Sequence, residues 1–290
     1  MRDSTQEVAE RSRSRPNRDD RVIDGFGDEW TRFDQRGMSA TEKAKVFREY
    51  FAVFPWESLP PSGGEGADIG CGSGRWAEMV APRVATLHLV DASADALQVA
   101  RTNLAGATNA RFHHASVDAL PFADASLDFA YSLGVLHHVP DTARAIRDVA
   151  AKLKPGAPLL LYLYYAFDNR PRWFKALWKA SDGVREVVSR LPPGARYLAS
   201  QALAVSVYWP LSRSARLLDA VDLMPAAWPL ASYRDKSFYT LRTDALDRFG
   251  TRLEQRFTRH QIEGMMTDAG LHSIRFSNAV PFWCAVGFKR

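Results

Sequence analysis

Cysteine is nearly absent from this chain: Cys71 and Cys284 are the only two in 290 residues. Two distant cysteines make neither a zinc spacing nor a disulfide framework, and a reducing compartment, the cytoplasm, is the expected home. No apolar run approaches the length of about eighteen residues that a membrane-spanning helix needs. The first residues, Met1-Arg2-Asp3-Ser4-Thr5-Gln6-Glu7, lack the apolar stretch of a signal peptide. An acidic excess is also missing: the net charge is +5. The surplus is concentrated between Tyr165 and Ile262, where 16 Lys/Arg face 9 Asp/Glu. A basic segment suits an anionic substrate, a nucleic acid or a lipid surface, and equally a solvated helical face. No RNA-binding module is recognisable, so no nucleic-acid partner is expected. With 46% hydrophobic and 24% charged residues, a packed core is expected.

The chain divides by pattern. Residues 1–21 carry six arginines, five acids and almost no large apolar side chain, which predicts a disordered tail. Residues 22–60 predict an N-terminal helical cap. It holds the aromatic cluster Phe26, Trp30 and Phe33, outside any clear period, and a capping box at Ser39-Ala40-Thr41-Glu42 opening a helix to about Phe54. Residues 61–166 alternate short apolar runs with helical patterns, the signature of a parallel sheet covered on both faces. The alternation stops for residues 167–257, a helical insertion rich in Trp and Pro. It resumes at 258–290 with a capping box at Thr258-Arg259-His260-Gln261, a last helix and a closing β-hairpin. An insertion after strand five lies on the carboxyl-end side of the sheet, where ligands bind, and reads as a substrate lid.

The organising stretch is Asp68-Ile69-Gly70-Cys71-Gly72-Ser73-Gly74. Glycines that follow a strand and precede a helix bring backbone N–H groups and a helix N-terminus close to a ligand. A dinucleotide fingerprint would place glycine or alanine where Arg75 stands. Asp91 closes the next strand, where its carboxylate can accept two ribose hydroxyls. Asp68 suits the ammonium of an amino-acid ligand better than a bare pyrophosphate. Together these favour S-adenosylmethionine over a nicotinamide dinucleotide.

Val90-Asp91, Asp118-Ala119-Leu120-Pro121-Phe122-Ala123-Asp124, Ser126-Leu127-Asp128 and Leu136-His137-His138-Val139-Pro140-Asp141 follow the glycine loop in order. With it they resemble the class I S-adenosylmethionine-dependent methyltransferases, in the group that includes the ubiquinone and menaquinone methyltransferases. The resemblance covers residues 64–165 and, in outline, 258–290. It implies a Rossmann-like seven-stranded α/β sheet, mostly parallel with the last strand antiparallel. It further implies that Asp68, Gly70, Cys71, Gly72 and Gly74 hold the methionine part, and Asp91 and Ala92 the ribose. The family usually has Asp just after strand three for the adenine; here Ser116 stands there, beside the Val117 N–H, with Asp118 as a substitute. Ser132 and Leu133 would line the sulfonium.

His137 and His138 follow strand four, close to the transferring methyl, and are candidates for a general base because imidazole titrates near neutrality. Tyr165 and Asp168, just past strand five, are rival bases. A role in packing the loop is the alternative for all four, because methyl transfer can proceed on proximity alone. The Asn/Asp-Pro-Pro-Tyr tetrapeptide of nucleobase amine methyltransferases is missing; Ser132-Leu133-Gly134-Val135 stands instead. The expected activity is methylation of O, N or C of a small organic acceptor, apolar or anionic, such as a secondary metabolite, quinone, lipid or sugar. A non-catalytic binding protein on the same fold and a nucleotide-linked oxidoreductase are the rivals. Arg213 and Arg216, interleaved in an apolar helical stretch, also fit weak contact with a membrane surface. No metal is expected, and the oligomeric state stays open.

Overall fold

A computed structural model describes residues 16–225 and 227–290. Its centre is a seven-stranded sheet of order β3-β2-β1-β4-β5-β7-β6. The strands are β1 (Glu65–Ile69), β2 (Thr86–Asp91), β3 (Ala110–His114), β4 (Phe129–Leu133), β5 (Pro158–Tyr162), β6 (Leu271–Phe276) and β7 (Cys284–Lys289). Strands β1 to β5 run parallel, and β7 enters antiparallel between β5 and β6. The expected Rossmann-like sheet with an antiparallel closing strand is therefore present. The strand order reverses between β1 and β4, and this is where an open α/β sheet leaves a crevice at its carboxyl ends.

Strand β5 shows why both faces are covered. Leu159 and Leu161 point into one apolar layer, with Ile146, Val149, Ile262 and Met266; Leu160 points into the other, with Phe51, Trp76, Leu97 and Phe129. The first layer is supplied by α5 (Thr142–Lys152) and α10 (Arg259–Asp268). The second comes from α2 (Ala40–Tyr50), α3 (Ala77–Val80) and α4 (Ala94–Asn103). The helix starts follow local chemistry: Ser93 and Asp141 accept N–H bonds as N-caps, and Thr258 with Gln261 forms a complete capping box. Ser39 caps α2 by accepting the Glu42 N–H. The Glu42 carboxylate does not return to that cap. It accepts from the Ser237 N–H at 3.1 Å and the Thr240 hydroxyl at 2.7 Å, so the expected box is half formed and its acid instead ties α2 to the insertion.

The N-terminal reading needs correction. Residues 1–15 of the expected tail lie outside the described residues. Residues 16–21 are folded: Asn17 is buried, and α1 (Asp20–Arg32) begins inside the expected tail, capped by Asp19. Phe26 and Trp30 are one helical turn apart on α1, so they do follow a period. Gly25 and Gly27 disguise it, because glycine is a poor helix former. At Gly27 a Cβ would meet Ser93 Oγ at 2.8 Å, so tertiary contact with α4 decides the residue.

The insertion is helical: α6 (Arg172–Val188), α7 (Pro193–Leu203), a π-turn (Ala204–Tyr208), α8 (Trp209–Ala220) and α9 (Phe238–Gly250). Val188, Ala204, Tyr208, Leu241, Ala245 and Phe249 form its own small core. Much of its positive charge is spent internally. Arg185 pairs with Asp182, Arg196 with Asp28, and Arg248 and Arg256 with Glu254, while Arg213 donates to the Arg234 and Lys236 carbonyls. No helix among the described residues is long and apolar enough to cross a membrane.

Candidate functional site

A cavity of about 660 Å³ opens at the carboxyl ends of β1, β2, β4 and β5 and runs beneath α1 and the insertion. That volume is in the range of small-molecule sites. At one end lie Gly70, Cys71, Asp91, Ala92, Ser116, Val117 and Leu133, and at the other His138, Tyr164, Tyr165, Trp178 and Asp247.

The glycine end is built by backbone geometry. Gly70, Gly72 and Gly74 all have positive φ, at 77°, 53° and 76°. A Cβ on Gly70 would lie 2.3 Å from the Val135 side chain, and one on Gly72 would lie 2.8 Å from the Trp30 indole. The loop is therefore gripped from both sides, by the turn after β4 and by α1. Asp91 is oriented by two backbone donors: Gly72 N–H to Oδ2 and Ser93 N–H to Oδ1, each at 2.8 Å. Burial raises its carboxyl, and those two donors work against the rise. Gly134, with φ 82°, lines the cavity and has open space where a Cβ would stand. Asp68 is 1% exposed and lies behind the loop, off the cavity wall. Neither of its oxygens has a hydrogen-bond partner, and burial pushes the carboxyl up to about 8.

Several expected contacts are placed differently. Ser132 is fully buried and gives its hydroxyl to the Ile69 carbonyl at 2.8 Å, so it braces β1 against β4 while Leu133 takes the wall. Asp118 is off the wall. It accepts from the Ser116 hydroxyl and from the Asn17 N–H, and Asn17 also bridges to the Asp141 backbone in both directions. The N-terminal segment is thereby strapped to Asp118 and Asp141. Asp168 is committed to structure: it accepts from the Arg259 N–H and from the Trp283 indole, and it does not reach the cavity. His137 is also off the wall, stacked on Tyr164 with ring centroids 3.8 Å apart.

His138 and Tyr165 do reach the cavity. His138 Nδ1 lies 2.6 Å from the Leu253 carbonyl, an acceptor, so Nδ1 carries the hydrogen and Nε2 is left with a bare lone pair. Nε2 has no partner. Burial pushes His138 down to about 4, so the ring is neutral at physiological pH. Its nearest carboxylate is Asp247 Oδ1, at 4.0 Å. The Tyr164 hydroxyl donates to Asp247 Oδ2, while Oδ1 is unpartnered. Burial, reinforced by Asp244 and Glu254, pushes Asp247 up to about 7. Glu29 of α1 faces the same space and is raised well above the usual carboxylate range by burial, then by Asp247 and Asp244. Glu29, Asp244 and Asp247 were not singled out from the sequence. Their signal is spatial, because helices far apart in the chain supply them.

Residues 67–161 match the methyltransferase domain family. A ubiquinone biosynthesis O-methyltransferase of Paracidovorax citrulli is 32% identical over 161 residues, which is 54% of this chain and 65% of that protein. The uncharacterized methyltransferase YcgJ of Bacillus subtilis is 36% identical over 101 residues, covering 34% of this chain and 40% of that one. The chain thus spans 65% and 40% of the length of these two curated relatives. Among solved structures, a complex of the Haloferax volcanii Trm112 methyltransferase activator with a methyltransferase superposes with a TM-score of 0.50 and 16% identity. That alignment covers 92% of this chain and 96% of the other, and shows a shared fold. The segment 67–161 is thus similar in sequence to methyltransferase domains.

Proposed function

We propose that this protein moves the methyl group of S-adenosylmethionine to an O, N or C nucleophile of a small organic acceptor. The observation that carries the reading is the single continuous cavity, which joins the glycine loop and Asp91 to a second chamber walled by His138, Tyr164, Trp178 and Asp247. A cofactor and an acceptor must meet end to end for an in-line displacement, and this cavity has that form. The residues present fit the cofactor. Asp91 is held by two N–H donors and keeps lone pairs for ribose hydroxyls. Gly134 leaves room beside β4.

When bound, the cofactor supplies an electrophilic methyl on a sulfonium. The chain's own part is to orient and to dry the site. Tyr164, Phe174 and Trp178 wall off water on the acceptor side. We assign to His138 Nε2, neutral and unpartnered, the part of taking a proton from the nucleophile. Titration calorimetry with S-adenosylhomocysteine tests the reading. Binding is expected, with Asp91→Ala weakening it by about tenfold or more, the weight of a charge-assisted bond pair. Binding of NAD in its place, or an unchanged affinity in Asp91→Ala, would overturn it.

A further inference from the structure

The acceptor side of the cavity holds two buried hydrogen-bond acceptors that no described residue satisfies, and a carboxylate from a third element, Glu29, lines the same cavity. Glu29 on α1 is 4% exposed, and its carboxylate makes no hydrogen bond or ion pair among the described residues. Asp247 Oδ1 on α9 has no partner. His138 Nε2, on the turn after β4, has none either, and that side chain is 3% exposed. All three residues line the cavity. Buried acceptors in native proteins are almost always matched by a donor, so two that lie 4.0 Å apart call for one from outside the chain.

The neighbouring cations do not supply it. Arg256 and Arg248 are held by Glu254 at 2.8 and 3.1 Å, and Arg248 also by Asp182 at 3.4 Å. Arg196 is held by Asp28 at 3.5 Å. Arg75 stacks on Trp76 and makes no ion pair among the described residues, although its charge works against the rise of Glu29 and Asp247. Two donors on the wall, Arg75 Nε and Trp178 Nε1, are also without partners, and neither bonds His138 Nε2 or Asp247 Oδ1.

The geometry narrows the ligand. His138 Nε2 and Asp247 Oδ1 are 4.0 Å apart. One atom at about 2.8 Å from each would see them about 90° apart, near the angle between two N–H bonds on one nitrogen. A hydroxyl has a single hydrogen and satisfies only one of the two. We propose that the methyl acceptor is a primary or secondary amine, held through its N–H groups by His138 Nε2 and Asp247 Oδ1, with the Glu29 carboxylate balancing its positive charge. The inference rests on the methyltransferase reading above and deepens it by naming the accepting atom.

The step balances without a further reactant. The bound ammonium gives one proton to the Asp247 carboxylate, which frees the nitrogen lone pair. The nitrogen then bonds to the methyl carbon as the carbon–sulfur bond breaks, and that electron pair stays on sulfur. The methylated nitrogen carries the positive charge away, or loses a proton to His138 Nε2. Burial raises both Glu29 and Asp247; Asp247 and Asp244 add to the rise of Glu29, and Asp244 and Glu254 to that of Asp247, which fits acids that a cation would relieve.

Calorimetry on the full chain saturated with S-adenosylhomocysteine tests this. The probes are methylamine, benzylamine and phenethylamine against methanol, benzyl alcohol and 2-phenylethanol. At least one amine is expected to bind tenfold or more tightly than its alcohol. Asp247→Asn and Glu29→Gln are each expected to remove that preference while leaving S-adenosylhomocysteine affinity unchanged. His138→Gln, which keeps a polar side chain, is the second probe of the wall should Asp247→Asn fold poorly, and it is expected to lower amine affinity about tenfold. Equal affinity for amines and alcohols would mean a water-filled polar chamber and would overturn the proposal. So would failure of all three amines to bind, or a preference that survives these variants. Failure of S-adenosylhomocysteine itself to bind would instead remove the reading beneath it.

Discussion

Single carboxylates carry the clearest energetic consequences. Asp68 and Asp247 are raised by burial to about 8 and about 7, against 3.8 for a free carboxyl. Through these two carboxyls the folded chain holds more protons than the unfolded chain from about pH 4 to pH 8, and their contribution to stability falls as pH rises through that window. His138 acts in the opposite sense, since its folded value is depressed, but its contribution is complete above its ordinary value of 6.5. Between pH 6.5 and 8 the carboxylates act alone, and the ligand-free protein is expected to lose about 2 kcal/mol through Asp68. Scanning fluorimetry across that range checks the slope; Asp68→Asn should flatten most of it, and an unchanged slope would refute the assignment. At Gly70 the strain is steric. Gly70→Ala must adopt φ of 77° and drive a methyl into Val135, so a loss of about 2–4 kcal/mol in urea unfolding is expected. The glycine positions are legible from the sequence because positive φ is a property of one residue. The commitments of Ser132 to Ile69 and of Asp168 to Trp283 are not, because each partner lies on another element.

Elements whose ends are set by their own side chains were legible too. Helices α4, α5 and α10 start where Ser93, Asp141 and Thr258 offer caps, since a cap reaches only two or three residues along the chain. The start and period of α1 were not legible because its two glycines lower helix propensity, and its role is written in contacts with α4 and the glycine loop. It functions as a cover: Trp30 closes on Gly72, and Asn17 straps the segment to Asp118 and Asp141. Trp30→Ala is expected to weaken S-adenosylhomocysteine binding about tenfold with little change in far-UV circular dichroism, because the loop loses its outer wall while the sheet is untouched. An unchanged affinity would show that α1 covers the loop without contributing to its ligand. Glu42 joins α2 to α9 by two hydrogen bonds. Glu42→Ala should lower stability by about 1–2 kcal/mol, readable as a shift in the urea midpoint.

At the scale of the molecule, apolar exposure and charge fall on one region. Of the thirteen exposed large hydrophobic side chains among the described residues, twelve lie between Trp173 and Phe238. Trp173, Leu177, Val184 and Val187 repeat at helical spacing along α6, and Leu177 also lines the cavity. Arg172, Lys175, Lys179 and Arg216 stand exposed in the same region without an ion pair among the described residues. A basic amphipathic face of this kind favours anionic lipid surfaces. Co-sedimentation with phosphatidylglycerol-containing vesicles is expected, weaker with phosphatidylcholine alone and reduced several-fold by Trp173→Ser with Leu177→Ser. Equal recovery on both vesicle types would argue against it.

The sequence by itself determined the sheet, the glycine loop, Asp91 and the presence of a helical insertion, because strand period, positive-φ glycines and caps are set by neighbours along the chain. Only the tertiary structure decided what the cavity offers an acceptor. Glu29, His138 and Asp247 are separated by more than a hundred residues at each step, and each is an ordinary polar residue in its own helix or turn. Burial beside one another raises the acids and leaves His138 Nε2 without a donor, and no local pattern encodes that proximity.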